Sequence, residues 1–310
     1  MGWDDVEKIL HHAFYNELRV APEETLLVMP LPPQSSAEVR KKYCQIMFET
    51  FNVPAAYFGH AAMLSVLYSG VRSVTGLSVM SGRRCTYITP VYCGHALDYL
   101  TQKLPIGGQQ VTDALTKMLT QSGLSFTTTA ELQIVGHIKE SCCSVALDYD
   151  NAQVAEKDYE LPDGQVIKVG QEQVSAPEIV FQPQLHDEAL DPAEALHHKI
   201  VSVVESCLPF MRTALYSNIV LSGGNTLFAG FPERLEKELK ALLPDQYQQC
   251  VKVKAQPERR HHSVNSDQDT PIREWLGASL LGSMSWFPHV AISKEEYDEC
   301  GPVIVERKCF

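Results

Sequence analysis

Residues 77–90 read LSVMSGRRCTYITP, an apolar run that enters a Ser-Gly turn and leaves it through a second β-rich run. Branched and aromatic residues suit a pleated, half-buried surface, and glycine lets the chain reverse tightly, so the spacing predicts strand–turn–strand. Such a unit is shaped to grip a phosphate, yet this turn carries Arg83 and Arg84 and no carboxylate. A second run, Val220-Leu221-Ser222-Gly223, also leads a strand into a Ser-Gly turn. With Val79-Met80-Ser81-Gly82 it makes a faint echo of an internally duplicated fold.

Elsewhere helical and strand patterns alternate, which favours α/β layers over an all-helical bundle. Residues 38–51 are amphipathic, with Val39, Tyr43, Ile46, Met47 and Phe51 on one side. Thr128 and Glu131 form a capping-box pattern ahead of a helix over 132–145. Asp191-Pro192 predicts another helix start, followed by a buried stripe of Leu196, Ile200, Val203, Val204 and Cys207. Pro232 opens a further helix carrying Leu235, Leu239, Leu242 and Leu243. Short strands are expected at 26–29, 56–58, 77–80, 85–91 and 219–221.

Composition removes several function classes. At 310 residues and 45% hydrophobic, the chain can bury one or two sizeable cores. Its 38 acids against 26 bases give a net charge of −12 with no long like-charge run, which argues against a general nucleic-acid or anionic-membrane binder. Nine cysteines are scattered without CxxC pairs or zinc spacing, and no secretory leader pattern opens the sequence, so reduced thiols in a cytosolic or nuclear setting are expected. The longest apolar stretches fall short of a membrane span. Met1-Gly2 has the start of a myristoylation motif, but Val6 stands where that motif wants Ser or Thr.

Several blocks carry a resemblance to a known family: Trp3-Asp4-Asp5, 11–24 (HHAFYNELRVAPEE), 45–54 (QIMFETFNVP), 125–131 (SFTTTAE), 159–167 (YELPDGQVI), 221–231 and 292–310. They stand in order and end on Lys308-Cys309-Phe310, and in this they resemble actin. The resemblance implies an α/β, actin-like (ribonuclease-H-like duplicated) fold, in a divergent and N-terminally truncated form. On that alignment the chain lacks the first strands of subdomain 1, with their phosphate turn, and all of subdomain 2. It also implies a division into 1–68 with 263–310 as the remnant of subdomain 1, 69–106 with 192–262 as subdomain-3-like, and 107–191 as subdomain-4-like. A polar insertion at 265–274 (NSDQDTPIRE) splits a run that is continuous in actins.

In actins the turn after Met80 resembles Asp-Ser-Gly-Asp-Gly; here the positions are Met80, Ser81, Gly82, Arg83 and Arg84. The family's water-positioning glutamine aligns with Ala61 and a nearby histidine with Tyr87; two acids near the sugar align with Arg83 and Gln110. A methyl cannot orient a nucleophilic water, a neutral phenol is a poor proton acceptor, and a thioether is no ligand for a hard cation. Hydrolysis through this machinery is therefore not expected, and neither a catalytic residue nor a metal ligand is implied. The adenosine side resembles the family more closely. Its candidate contacts are Gly107, Gly108, Lys139, Glu140, Gly223, Gly224, Asn225, Leu227 and Phe228, although the arginine expected one turn before Lys139 is Gly136. Those glycines serve either the fold alone or a retained nucleotide. Arg83 and Arg84 either bind an anion without a metal or point into water.

The implied function is a non-catalytic actin-like structural or interaction protein of the cytoskeleton or an actin-related complex, with a degenerate nucleotide cleft and no cofactor. The alternative is an ATP-binding, non-hydrolysing switch or filament co-subunit. Its partners would be proteins, including actin or actin-binding proteins, with no direct nucleic acid and no membrane. Its place would be the cytoplasm and cytoskeleton, with the nucleus as the alternative. Loss of neighbours leaves the strand at 26–29 with an open edge. Leu67, Val290 and Ile292 fall near the family's barbed-end groove, where Ala291, Pro288 and His289 depart from its pattern. Three pairs, His11-His12, His197-His198 and His261-His262, suggest structural or surface histidines rather than a chelate, since neighbours on a helix diverge by about 100°. Cys309 beside Lys308 is expected as a mobile surface group, or as a reactive thiol of lowered pKa. Cys142 and Cys143 are placed on a helix, one of them filling core.

Overall fold

The computed structural model describes residues 2–187, 190–255 and 273–309. The chain forms two compact units, one from 1–70, 94–96 and 273–310, the other from 71–93 and 97–272. The expected insertion at 265–274 lies outside the described residues except for its last two, which begin the helix Arg273–Gly282. The pair His261-His262 lies outside them entirely.

In the first unit the strand Leu27–Leu31 runs parallel to Ala55–His60, with Leu27 opposite Ala56 and Leu31 opposite His60. Ile292–Ser293 joins the far side of Ala55–His60 antiparallel, so among the described residues Leu27–Leu31 is an edge of a three-stranded sheet. Phe14, Ile46, Met47, Phe48, Phe58 and Val305 fill the core beside it. The predicted helix at 38–51 is real but not uniform: Ala37–Gln45 is α-helical and Ile46–Thr50 widens into a π-helix. Widening narrows the arc between successive side chains, and Ile46, Met47 and Phe48 are all buried in a row. The helix Arg273–Gly282 crosses Ala61–Tyr68 so closely that a β-carbon on Gly277 would overlap the carbonyl oxygen of Leu64.

Two expectations fail in this unit. Ile292 is fully buried in its strand and offers nothing to a groove. Cys309 is 2% exposed, its Sγ accepts the Phe58 amide at 3.4 Å, and burial pushes the thiol up to about 11. It is a core residue, neither mobile nor activated; a terminal segment anchored on a strand amide has no solvent to lower the cost of a thiolate.

In the second unit Val253–Lys254, Ile219–Ser222 and Gly76–Ser81 lie parallel in that order, and Thr86–Tyr92 pairs antiparallel with Gly76–Ser81 and with Gln102–Leu104. Leu77, Val79, Ile88, Ile219 and Leu221 enter one core with Val111, Leu115, Ile200, Val204, Leu235 and Leu239 from the helices. The stripe predicted from Leu196 to Cys207 is buried throughout. Its start is not as predicted: Asp191 Oδ1 accepts the Ala193 amide at 2.8 Å, but it begins only the 3-10 turn Pro192–Glu194. Extended backbone at Ala195 separates that turn from the α-helix Leu196–Ser206. Thr128 and Glu131 form the capping box, and the helix they open is Thr129–Cys142. Cys142 ends that helix and Cys143 lies just past it, both buried. On Phe231–Leu242 the predicted apolar face includes Leu235 and Leu239, but Leu242 is 41% exposed while Leu243 turns inward past the helix end.

A buried ion pair here was not anticipated. Arg234 donates to both carboxylate oxygens of fully buried Glu178, at 2.9 and 3.3 Å, and to Glu238 and the Ala146 carbonyl, both at 2.7 Å. A buried guanidinium is tolerable only when its donors are so occupied. Nearby, the ring of His197 lies against Phe181, and burial depresses its pKa from 6.5 to about 4. The unfolded chain takes up this proton below about pH 6.5 and the folded chain resists until about pH 4. Stability is therefore lost as pH falls through that window, by about 3 kcal/mol from this group. In urea titrations, His197→Phe should gain about that much on the wild type at pH 4 relative to neutral pH; an equal difference at both pH values would contradict the burial effect.

Candidate functional site

The site grows from two parallel strands that end at the same level. Met80 is opposite Ser222, so the turns that follow, Ser81-Gly82-Arg83-Arg84 and Ser222-Gly223-Gly224-Asn225, leave the sheet side by side. The two similar Ser-Gly turns thus follow adjacent strands of a single sheet. Gly223 has φ +90°, and a β-carbon there would overlap the carbonyl oxygen of Ser81. Only glycine permits both the conformation and the approach.

Hydrogen bonds then lock the first turn from several sides. Asn225 Nδ2 donates to Ser81 Oγ at 3.0 Å and to the Gly82 carbonyl at 3.3 Å. Ser81 Oγ and Thr86 Oγ1 are 2.7 Å apart, and Thr86 donates onward to the Ile106 carbonyl at 2.8 Å. The helix Gly108–Gln121 abuts the turn with its first amides: Gly108 N donates to Gly82 O at 2.9 Å and Gln109 N to Arg83 O at 2.7 Å. Gly82 N donates to Cys85 O at 3.1 Å, and Gly107 N to Gln110 Oε1 at 2.9 Å. The approach needs bare α-carbons here too, since a β-carbon on Gly107 would lie 2.6 Å from the Cys85 nitrogen. One on Gly108 would lie 2.9 Å from Asn225 Oδ1 and 3.3 Å from Lys139 Nζ.

Five of the sequence-derived candidates, Gly107, Gly108, Lys139, Gly223 and Asn225, thus meet around the turn. Lys139 Nζ donates to Gly108 O and Thr112 Oγ1, both at 3.1 Å, and burial holds its ammonium below its ordinary pKa against the pull of Glu140. Glu140 and Gly224 are exposed and Leu227 is half-buried. Phe228 is 7% exposed and belongs to the core of the unit. Gly136 and Gly224 have open space where a β-carbon would stand. The sequence pattern missed Ser81, Thr86 and Thr112, buried hydroxyls that carry the network; their alternation with apolar strand and helix neighbours was the available signal.

The electrostatics are cationic at the tip. Arg83 and Arg84 are exposed, and Arg83 Nε donates to Gln109 Oε1 at 3.1 Å. Residues 80–84 contribute no carboxylate. Tyr87, opposite Met80, has its phenol pushed up to about 12 by burial and by Cys85, so it stays protonated near neutrality. In the first unit, Ala61 is buried at the start of its helix, where His60 Nδ1 accepts the Ala62 amide at 3.3 Å. Among the described residues no cluster of three or more His, Cys, Asp or Glu is arranged to hold a metal, and no helix is long and apolar enough to cross a membrane.

Paired substitutions test the backbone approach. Gly223→Ala should lower stability by about 3 kcal/mol, whereas Gly224→Ala, with open space around it, should stay within about 0.5 kcal/mol. Thermal unfolding of both checks this, and equal effects would contradict the geometry. The family model described as Actin matches the chain over residues 1–310.

Proposed function

Since the chain belongs to the actin family, we propose that it is a non-catalytic structural or interaction protein with a degenerate nucleotide cleft. It works in the cytoskeleton or an actin-related complex through protein partners, actin or actin-binding proteins among them. On this proposal 1–68 with 263–310 correspond to subdomain 1, 69–106 with 192–262 to subdomain 3 and 107–191 to subdomain 4. The cytoplasm is its place, with the nucleus as the alternative.

The observation that carries the proposal is the turn at Ser81-Gly82-Arg83-Arg84. Metal-assisted phosphoryl transfer needs hard oxygen ligands around the cation, free donors on the phosphates and a group that orients water. On the family alignment the turn offers the Met80 thioether and the Arg83 guanidinium at the positions of acids, with a second guanidinium at Arg84. The nearby amides of Gly82, Gly107, Gly108 and Gln109 all donate within the protein. Ala61 and Tyr87 supply neither a water-orienting group nor a base. These residues do not fit a metal–triphosphate, and no hydrolytic step is derived through one.

The meeting of Gly107, Gly108, Lys139, Gly223 and Asn225 around one turn favours one second function, an actin-like switch or filament co-subunit that binds ATP and does not hydrolyse it. Titration of a fluorescent ATP with and without Mg²⁺, together with a phosphate-release assay, separates the two. The non-catalytic protein should show no Mg²⁺-dependent gain in affinity and no γ-phosphate release above buffer. Tight binding without release would replace it by the switch, and Mg²⁺-dependent release by the pure chain would overturn both.

A further inference from the structure

We infer that Arg83 and Arg84 form a docking point for a carboxylate-rich segment of a protein partner. The inference rests on the non-catalytic function proposed above and names the chemistry of one partner contact. Both side chains are exposed at the tip of a hairpin whose backbone is fixed by Gly223, Asn225 and the helix Gly108–Gln121. A rigid base lowers the ordering cost of using the side chains that it carries.

Arg83 engages Gln109 through Nε alone, and Gln109 Nε2 in turn donates to Asp113 at 2.9 Å, which occupies the nearest acid on that helix. Among the described residues neither Nη group of Arg83 has a partner, and no hydrogen bond or ion pair engages Arg84. Two adjacent guanidinium groups can each meet a carboxylate through paired N–H donors. Glu140, beside Lys139 on a neighbouring helix, is the other exposed acid of the site.

Carboxylates on a chain are favoured over a small phosphate ligand by the state of the backbone. A phosphate cradle is made of free main-chain amides, and those of Gly82, Gly107, Gly108 and Gln109 beside this turn already have acceptors. The side-chain charge of Arg83 and Arg84 stands at an exposed tip, which suits an extended acidic segment. The chain carries −12 overall, so an acidic partner is repelled elsewhere and the pair singles out one point of contact.

The test uses the full chain and a fluorescein-labelled decaglutamate peptide, followed by anisotropy at about 50 and about 300 mM salt, across which exposed charge pairs are progressively screened. The wild type should bind with affinity that falls at the higher salt. Arg83→Ala/Arg84→Ala should weaken binding about tenfold, and Arg83→Lys/Arg84→Lys should restore only part of it. Unchanged melting temperatures confirm that the exposed turn still folds. Absent binding, or equal affinity in the wild type and the alanine variant, overturns the docking point. If MgATP also fails to bind, the non-catalytic function survives that result; if MgATP binds and displaces the peptide, both fail.

Discussion

Close contact between the α-carbon of Gly223 and the carbonyl of Ser81 is the constraint on which the rest of the second unit depends. Here the turns after two parallel strands pass without a side chain between Gly223 and Ser81. Gly223 allows this at φ +90°. The close passage then brings Asn225 within reach of Ser81 and Gly82, and the helix start at Gly108 within reach of the same turn. The bonds to the Gly82 and Arg83 carbonyls hold backbone. The turn can therefore carry Arg83 and Arg84 at its tip while its backbone stays fixed.

That separation of frame from chemistry explains how an actin-family fold persists around a turn with no carboxylate. The amides of Gly82, Gly107, Gly108 and Gln109 are satisfied inside the protein without an anion. Burial elsewhere in the unit is equally self-contained. Arg234 and Glu178 neutralise each other and tie the helix Phe231–Leu242 to Glu172–Glu178 and to the Ala146 carbonyl. At the tip the balance reverses: Arg83 and Arg84 face solvent, and the chain presents a positive point on an acidic protein.

Much of the frame was legible because local chemistry and tertiary need agreed. The Ser-Gly ends of the strands, the capping box of Thr128 and Glu131, and the stripe from Leu196 to Cys207 all stand where the sequence places them. Other features depend on partners distant in sequence. Cys309 looks exposed beside Lys308, but the Phe58 amide, far back in the chain, draws it into the core. Arg234 falls on the buried face of its helix with Phe231 and Leu235, and only the fold brings Glu178 to it. Asp191 caps as predicted, yet Ala195 ends the turn it starts, because the helix axis is set by the stripe that follows. Of the site, the glycines and Lys139 were legible through the family resemblance. Phe228 packs in the core of the unit, a placement that its position after a turn does not reveal, since an aromatic there serves a pocket or a core equally well.

Hydrogen exchange at the amides of Gly108 and Gln109, with and without MgATP, bears most directly on the claim that this turn is complete without a ligand. Internal hydrogen bonding makes both amides slow in the protein alone and leaves them unchanged on adding MgATP. Rapid exchange in the protein alone, slowed by MgATP, would mean that the donors await a phosphate and would contradict the account.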